Sequence, residues 1–249
     1  MNRILLFITI LGIVVLFIIQ SVVFKVSTVS YEKKNADCFD NKAQSLFNLE
    51  GKSILFLDIT KTKDDLKKKY LCIEDITLTK KYPKSVLVII QGQTPSLDFL
   101  PTFGDGSLDA LATLSGTLKK QYYITSNKGL IFKTMESSPS GIPLIFYSGS
   151  RALKVGDNLG SLASNTKAII TRLQELSVPM FELKLQENYL EVQSDNPKLI
   201  IFDTQGDFSR ELASLQLILQ AGKMNSGQLP MERVDLRFEK PVINYSPKR

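Results

Sequence analysis

The feature that most constrains this chain is an uncharged apolar run close to its start. Residues 4–24 read ILLFITILGIVVLFIIQSVVF, which is 21 residues without a charge. A helix of this length is roughly 31 Å long, about the thickness of the hydrocarbon layer of a bilayer. A cleaved secretory signal has a shorter apolar region that ends in a small-residue cleavage site, and no such site follows this run. We therefore predict a transmembrane helix at residues 4–24.

The short segment before this helix predicts its orientation. Residues 1–3 form a cytoplasmic end of only three residues, so we expect the large remainder of the chain to be translocated. The prediction is a single-pass protein of the cell membrane whose C-terminal domains are extracytoplasmic.

The two cysteines, Cys38 and Cys72, have two readings. Outside the cytoplasm such thiols can be oxidised to each other. A disulfide also demands a particular Cα separation, which no sequence supplies. A Cys38–Cys72 disulfide and a pair of small buried thiols therefore both stay open.

The charge balance is mildly basic. The chain has 31 Lys and Arg residues against 25 Asp and Glu, a net charge of +6. This excess suits attraction to anionic lipid or wall polymer, and it is too small and too poor in interleaved aromatic residues to predict nucleic-acid binding. The lysine clusters Lys67–Lys69 and Lys80, Lys81, Lys84 are either solvated surface or a basic face directed at membrane or wall.

The pattern of residues 25–93 predicts a small domain of element order β-α-α-β-β. A strand opens it at Phe24–Glu32, helices follow at 41–50 and 60–70, and two β-branched strands close it around the turn KKYPKS. Residues 94–120 concentrate Pro, Gly and Ser, which predicts a hinge or an irregular insertion.

Residues 121–245 read as short strands divided by turns, with two amphipathic helices. A hairpin is predicted about Asn127-Lys128-Gly129, and helices at 161–176 and 208–223. The last strand, 233–243, alternates apolar Val234, Leu236 and Phe238 with charged Asp235, Arg237 and Glu239. Pro241 lacks an N–H donor, which indicates that this strand lies at the edge of the sheet.

The sequence lacks the residues that most enzymes use. There is no His in the chain, which excludes Ser-His-Asp and Cys-His pairs and every zinc site that contains His. The S-x-x-K match at Ser164–Lys167 has no K-T-G partner, and LEGKS at Leu49–Ser53 lacks the first glycine of a phosphate-binding loop. We predict a protein that is not an enzyme and holds neither a metal nor a cofactor.

In order and spacing, five stretches of the chain resemble the FtsQ/DivIB family of bacterial cell-division proteins. They are FKVSTVSYE, LEGKSILFLDI, IEDITLTKKYPKSVLVIIQGQTP, YYITSNKGLIF and ERVDLRFEKPVI. The resemblance implies an α+β fold made of an N-terminal transmembrane helix, a POTRA domain (β-α-α-β-β) at 25–93, and a larger mixed β-sheet domain flanked by two helices at 121–245.

The resemblance also implies a role. FtsQ/DivIB proteins are scaffolds at the division septum that connect other division proteins, notably the coiled-coil proteins FtsB (DivIC) and FtsL. Alternatives are a POTRA-type component of polypeptide transport and a wall-facing enzyme. Docking in the family is thought to use the terminal strand, and an open strand edge accepts a partner's strand by main-chain hydrogen bonds.

The terminal strand therefore supplies the expected partner-binding residues. We expect Val234 and Leu236 to pack inward, Phe238 to pack inward or to help form a partner's pocket, and a selective charged row to face the partner. The full set is Val234, Asp235, Leu236, Arg237, Phe238 and Glu239.

Overall fold

The chain divides into two compact units, Met1–Thr94 and Pro95–Arg249. Each unit has its own sheet. The structure is a computed structural model and describes residues 8, 11–12, 23–35, 49–102, 120–224 and 230–246.

The first unit contains a three-stranded sheet and one described helix. The strands are β1 (Thr28–Lys34), β2 (Ile73–Lys81) and β3 (Ser85–Gly92). β3 lies in the middle, parallel to β1 and antiparallel to β2. Every second residue of β3 is buried, namely Val86, Val88, Ile90 and Gly92. This alternation of buried and half-exposed residues is that of a strand with one face on the core.

Polar residues at both ends stabilise helix α1 (Ile59–Lys69). Asp58 is the N-cap and its carboxylate accepts a hydrogen bond from the Lys61 N–H at 3.0 Å. Its last turn carries Lys67–Lys69, which complements the negative end of the helix dipole. Leu66 is its buried residue.

The second unit contains a nine-stranded sheet in the order β12-β11-β10-β9-β8-β7-β4-β5-β6. Neighbouring strands are parallel in the pairs β4–β7, β7–β8 and β10–β11 and antiparallel in the others. The strands are β4 (Pro95–Pro101), β5 (Tyr122–Ser126), β6 (Ile131–Met135), β7 (Leu144–Tyr147), β8 (Glu182–Leu185), β9 (Tyr189–Gln193), β10 (Leu199–Asp203), β11 (Met231–Asp235) and β12 (Val242–Tyr245).

Two helices join parallel neighbours of this sheet. Helix α2 (Ser161–Glu175) connects β7 to β8, and α3 (Phe208–Met224) connects β10 to β11. Both contribute to one apolar core, in which Leu173 of α2 and Leu215 of α3 are fully buried with Phe202 of β10. The two predicted helices, and the hairpin of β5 and β6 about Asn127-Lys128-Gly129, are confirmed in position.

β4 corrects the prediction for residues 94–120. Pro95–Pro101 is an interior strand of the sheet, between β7 and β5, and five of its seven residues are buried. A strand that is buried on both faces lacks the alternation by which strands are recognised, and its two terminal prolines made the stretch look like a loop. Residues 103–119 lie outside the described residues.

The predicted fold class, a transmembrane helix followed by a POTRA domain and a larger β-domain, is wrong. The described part of the chain is mostly β, with a nine-stranded sheet, a three-stranded sheet and three helices. Across those described residues, no helix has both the length and the apolar character that a membrane crossing requires. Most of 4–24, like the helix predicted at 41–50, lies outside them.

The predicted localisation, a single-pass protein of the cell membrane, is corrected by the same finding about the described helices. The prediction depended on the length of an uncharged run. Such length is a necessary condition for a spanning helix and is not a sufficient one.

Candidate partner-binding surface at the last strands

The predicted terminal strand is divided in two, and its first part is not an edge. β11 ends at Asp235 and lies between β10, to which it is parallel, and β12, to which it is antiparallel. The expectation of one edge strand at 233–243 is therefore wrong. Pro241 stands in the connection just before Val242, where its missing N–H costs no ladder hydrogen bond.

Two apolar residues, one in β11 and one just after it, hold this segment in the core. Val234 and Leu236 are buried in the same cluster as Leu212 and Leu215 of α3, which confirms that they pack inward. The Leu236 N–H donates to the Ile201 carbonyl at 2.9 Å, which extends the contact with β10 beyond the end of β11.

Asp235 is buried between two arginines and is not part of an exposed charged row. The Arg237 side chain donates to its carboxylate twice, from Nε at 2.9 Å and from Nη2 at 2.7 Å, and the Arg237 backbone N–H donates at 3.3 Å. Arg233 Nη2 donates at 2.8 Å. Burial raises the pKa of Asp235, but the hydrogen bonds from Arg237 and Arg233 outweigh burial and hold the pKa below its usual value. Asp235 is therefore ionised at neutral pH and fixes both arginines.

Arg237 connects this ion pair to two aromatic rings. Its guanidinium carbon lies 4.8 Å from the centroid of Tyr189 on β9 and 5.7 Å from that of Phe238. These distances fit cation–π contacts. Phe238 itself is 53% exposed, and Glu239 is exposed. The contacts of Arg237 with Asp235 and Tyr189 therefore hold the connection from β11 to β12 in place, and Phe238 in this connection is exposed to solvent.

β12 is the strand at this end of the sheet. Among the described strands it pairs with β11 alone, with Val242 opposite Asp235 and Tyr245 opposite Met231. Ile243 packs against the core, whereas Val242 is 48% and Tyr245 43% exposed. Because side chains alternate along a strand, Val242 and Tyr245 lie on opposite faces, and each exposes apolar surface beside the outer edge of β12.

Polar contacts at the far end of β12 hold its position. The Ser246 N–H donates to the Pro230 carbonyl at 2.9 Å, and the Ser246 hydroxyl is hydrogen-bonded to Glu232. Glu232 also forms an ion pair with Lys198 at 2.8 Å. Together these contacts join β12, β11 and the start of β10.

Sequence reasoning missed Val242, Tyr245 and Tyr189. For the first two a signal was present, because PVINY has two β-branched residues directly after a proline, as at the start of an edge strand. Tyr189 gave no such signal. Its contact with Arg237 depends on the pairing of β9 with β10 and of β10 with β11, which the local sequence does not specify.

The cysteines and the S-x-x-K match take other positions. Cys72 is disulfide-bonded, and Cys38 lies outside the described residues. Ser164 and Lys167 stand on α2, where the Ser164 hydroxyl donates to the Ser161 carbonyl at 3.1 Å and Lys167 is hydrogen-bonded to Asn127. Within the described ranges there is no group of three His, Cys, Asp or Glu residues with the geometry of a metal site.

Comparison with known proteins gives no assignment. No protein-family model matches the chain, and no curated protein matches its sequence.

Proposed function

We propose that this protein is a non-enzymatic scaffold of the bacterial division machinery, to which a partner protein binds by adding a strand to β12. Two independent lines support the proposal. The sequence resembles FtsQ/DivIB in the order of five stretches, the last of which contains all of β11 except Met231, and the start of β12. The observation that carries the mechanism is the open outer edge of β12 within the described sheet.

An open edge suits strand addition because it supplies main-chain donors and acceptors in a row. Only Val242–Tyr245 form β12, and such a short edge gives little area for unwanted pairing between copies of the chain. The exposed side chains of Val242 and Tyr245 add apolar contacts on the two sides of the main-chain row. A partner strand is therefore recognised by both backbone and side chains.

The neighbours of β12 favour binding because they are already ordered. The Asp235–Arg237 ion pair and the Arg237–Tyr189 contact fix the segment before the strand. Glu232 and Ser246 fix the segment after it. A strand that is held in its bound conformation loses little conformational entropy when a partner docks.

The resemblance supplies the identity of the expected partners, which are coiled-coil division proteins resembling FtsB (DivIC) and FtsL. The test changes the two exposed apolar side chains of β12 and keeps Ile243, the residue of β12 that packs against the core. We expect Val242→Glu with Tyr245→Glu to abolish co-purification with the FtsB-like protein of the same cells. In cells depleted of the wild-type protein, we expect this variant to leave filaments with unfinished septa.

A matched control carries the same charges at other exposed apolar positions of the second unit, Phe181→Glu with Leu217→Glu. This control is expected to bind the partner and to restore septation. If the β12 variant, folded to the same extent, binds the partner as tightly as the control, strand addition at β12 is wrong. If depletion leaves septation intact, the division role is wrong.

A further inference from the structure

Three segments of the first unit meet at one end of the three-stranded sheet. The Ile54 N–H donates to the Phe24 carbonyl at 2.8 Å, and the Val26 N–H donates to the Lys52 carbonyl at 2.9 Å. The Ser27 N–H donates to the Lys84 carbonyl at 2.9 Å. Residues 23–28, 49–56 and 80–85 therefore share this end, which includes the turn between β2 and β3.

The charges of these three segments have nearly one sign. The side chains that are charged at neutral pH are five lysines and one glutamate, Glu50, and none is an arginine. We call this surface the basic end and define it by Lys25, Lys52, Phe56, Lys80, Lys81, Tyr82 and Lys84. All five lysines are exposed or half-buried.

Two aromatic side chains of the basic end stand in solvent. Phe56 is 79% exposed and Tyr82 is 60% exposed. Phe56 is not part of a loose chain end, because Ile54 is hydrogen-bonded to Phe24 and the Leu55 carbonyl lies 3.5 Å from the Lys80 ammonium that donates to it. A phenyl ring held out of the core, one residue from a carbonyl that binds the Lys80 ammonium, is a feature that folding alone does not require.

We infer that the basic end binds the surface of an anionic lipid bilayer. Lysines attract anionic headgroups as mobile point charges, and exposed aromatic side chains bury their rings at the boundary of headgroups and acyl chains. A surface for phosphate recognition by fixed geometry uses arginine, which this end lacks. The attachment is peripheral, and it requires no helix that crosses the bilayer.

The chain itself offers a local reporter for this contact. It contains no Trp, so Phe56→Trp creates a single indole at the basic end. The full chain carrying this substitution is mixed with vesicles of phosphatidylglycerol and, separately, of phosphatidylcholine. We expect a blue shift of Trp emission, and quenching by brominated acyl chains, with phosphatidylglycerol only. Contact made only by the second unit leaves the indole in water and does not move this signal.

Two charge reversals of equal size complete the experiment. Lys81→Glu with Lys84→Glu changes the basic end, and Lys68→Glu with Lys69→Glu changes exposed lysines at the far end of α1. With the first pair, the lipid concentration that gives half of the emission shift is expected to rise about tenfold or more. With the second pair it is expected to change less than about threefold. The inference is overturned by an absent shift, by an equal shift with phosphatidylcholine, or by equal effects of the two reversals.

Discussion

Asp98 and Asp235 are both buried carboxylates of the nine-stranded sheet, and they differ in what surrounds them. Asp235 on β11 accepts hydrogen bonds from Arg233 and Arg237. Among the described residues, no hydrogen-bond partner reaches either carboxylate oxygen of Asp98 on β4, although Ser138 lies close enough to lower its pKa. A buried aspartate therefore stabilises the fold at position 235, whereas the burial of its charge at position 98 costs free energy.

The difference appears in the direction of the two pKa shifts. Burial raises the pKa of Asp98 and nothing offsets it fully. Burial acts on Asp235 in the same sense, but the arginines lower its pKa below the usual value. Asp235 therefore stabilises the fold above its unfolded-state pKa, and this contribution is lost as pH falls through the folded pKa. Asp98 favours the fold at acid pH, and this contribution is lost as pH rises through its folded pKa.

Asp235→Ala is the substitution expected to have the largest effect on this comparison. It removes hydrogen bonds to charged groups and releases Arg237 from its position over Tyr189. We expect the free energy of unfolding at neutral pH to fall by about 2–3 kcal/mol, toward the lower value because both arginines can reach water. Urea denaturation measures the change. Glu239→Ala, at an exposed position, is the control, and a loss for Asp235→Ala no larger than that of the control would show that the ion pair contributes nothing.

Glu211 on α3 is an intermediate case, and Glu211→Gln sharpens the comparison. Its buried carboxylate accepts one hydrogen bond, from the Asp203 N–H at 3.0 Å. Burial raises its pKa to about 7, with a smaller contribution in the same sense from Asp203. Because the folded pKa is raised, stability falls as pH rises from the unfolded-state pKa to about 7.

The Gln variant should lose this pH dependence. Between about pH 5 and about pH 7.5 the wild-type chain is expected to lose about 2 kcal/mol more unfolding free energy than the variant. Urea denaturation at both pH values measures it, with Glu175→Gln on the exposed surface of α2 as the control. Equal pH dependence in wild type and Glu211→Gln would mean that Glu211 does not titrate in this range.

The regular parts of the sheet could be predicted from the sequence because they carry local signals. Helices α2 and α3 repeat apolar residues at helical spacing, and the β5–β6 hairpin has Gly129 at a positive φ of 79° in its turn. β4 could not be predicted in this way. The pairing of its edges with β5 and β7, and the packing of α2 against it, come from segments that are distant in the chain.

In the candidate site, too, local features could be predicted from the sequence and strand pairing could not. That Val234 and Leu236 face the core was predicted from alternation along one strand. The pairing of β11 with β12 buries Asp235 and makes β12, with Val242 and Tyr245, the open edge. Alternation along one strand does not predict this pairing. A prediction from local periodicity assigns the faces of a strand and does not reveal how many strands follow it.

Asp98→Asn tests the other half of the comparison and has a smaller expected effect. Asparagine keeps the shape of the side chain and removes the charge whose burial is not compensated. We expect the unfolding free energy at neutral pH to rise by about 1 kcal/mol, and the gain to vanish at acid pH, where Asp98 is protonated in both states. Thermal or urea denaturation at the two pH values measures it. Asp195→Asn, at an exposed position, should show no such pattern, and a loss of stability in Asp98→Asn would indicate a partner for the ionised carboxylate.

Arg233→Ala is expected to have the smallest effect on stability. It tests how much Arg233 and Arg237 each contribute to the ion pair with Asp235. Arg233 is 42% exposed and makes one contact with Asp235, at 2.8 Å, whereas Arg237 makes two side-chain hydrogen bonds and also contacts Tyr189. An exposed partner is screened by water, so we expect a loss of about 0.5 kcal/mol for Arg233→Ala. Arg237→Ala should cost more, about 1–2 kcal/mol, because it removes the bidentate pair and the ring contact together. Equal losses for the two variants would mean that Asp235 is held by charge alone, and that the orientation of Arg237 over Tyr189 does not stabilise the segment that leads into β12.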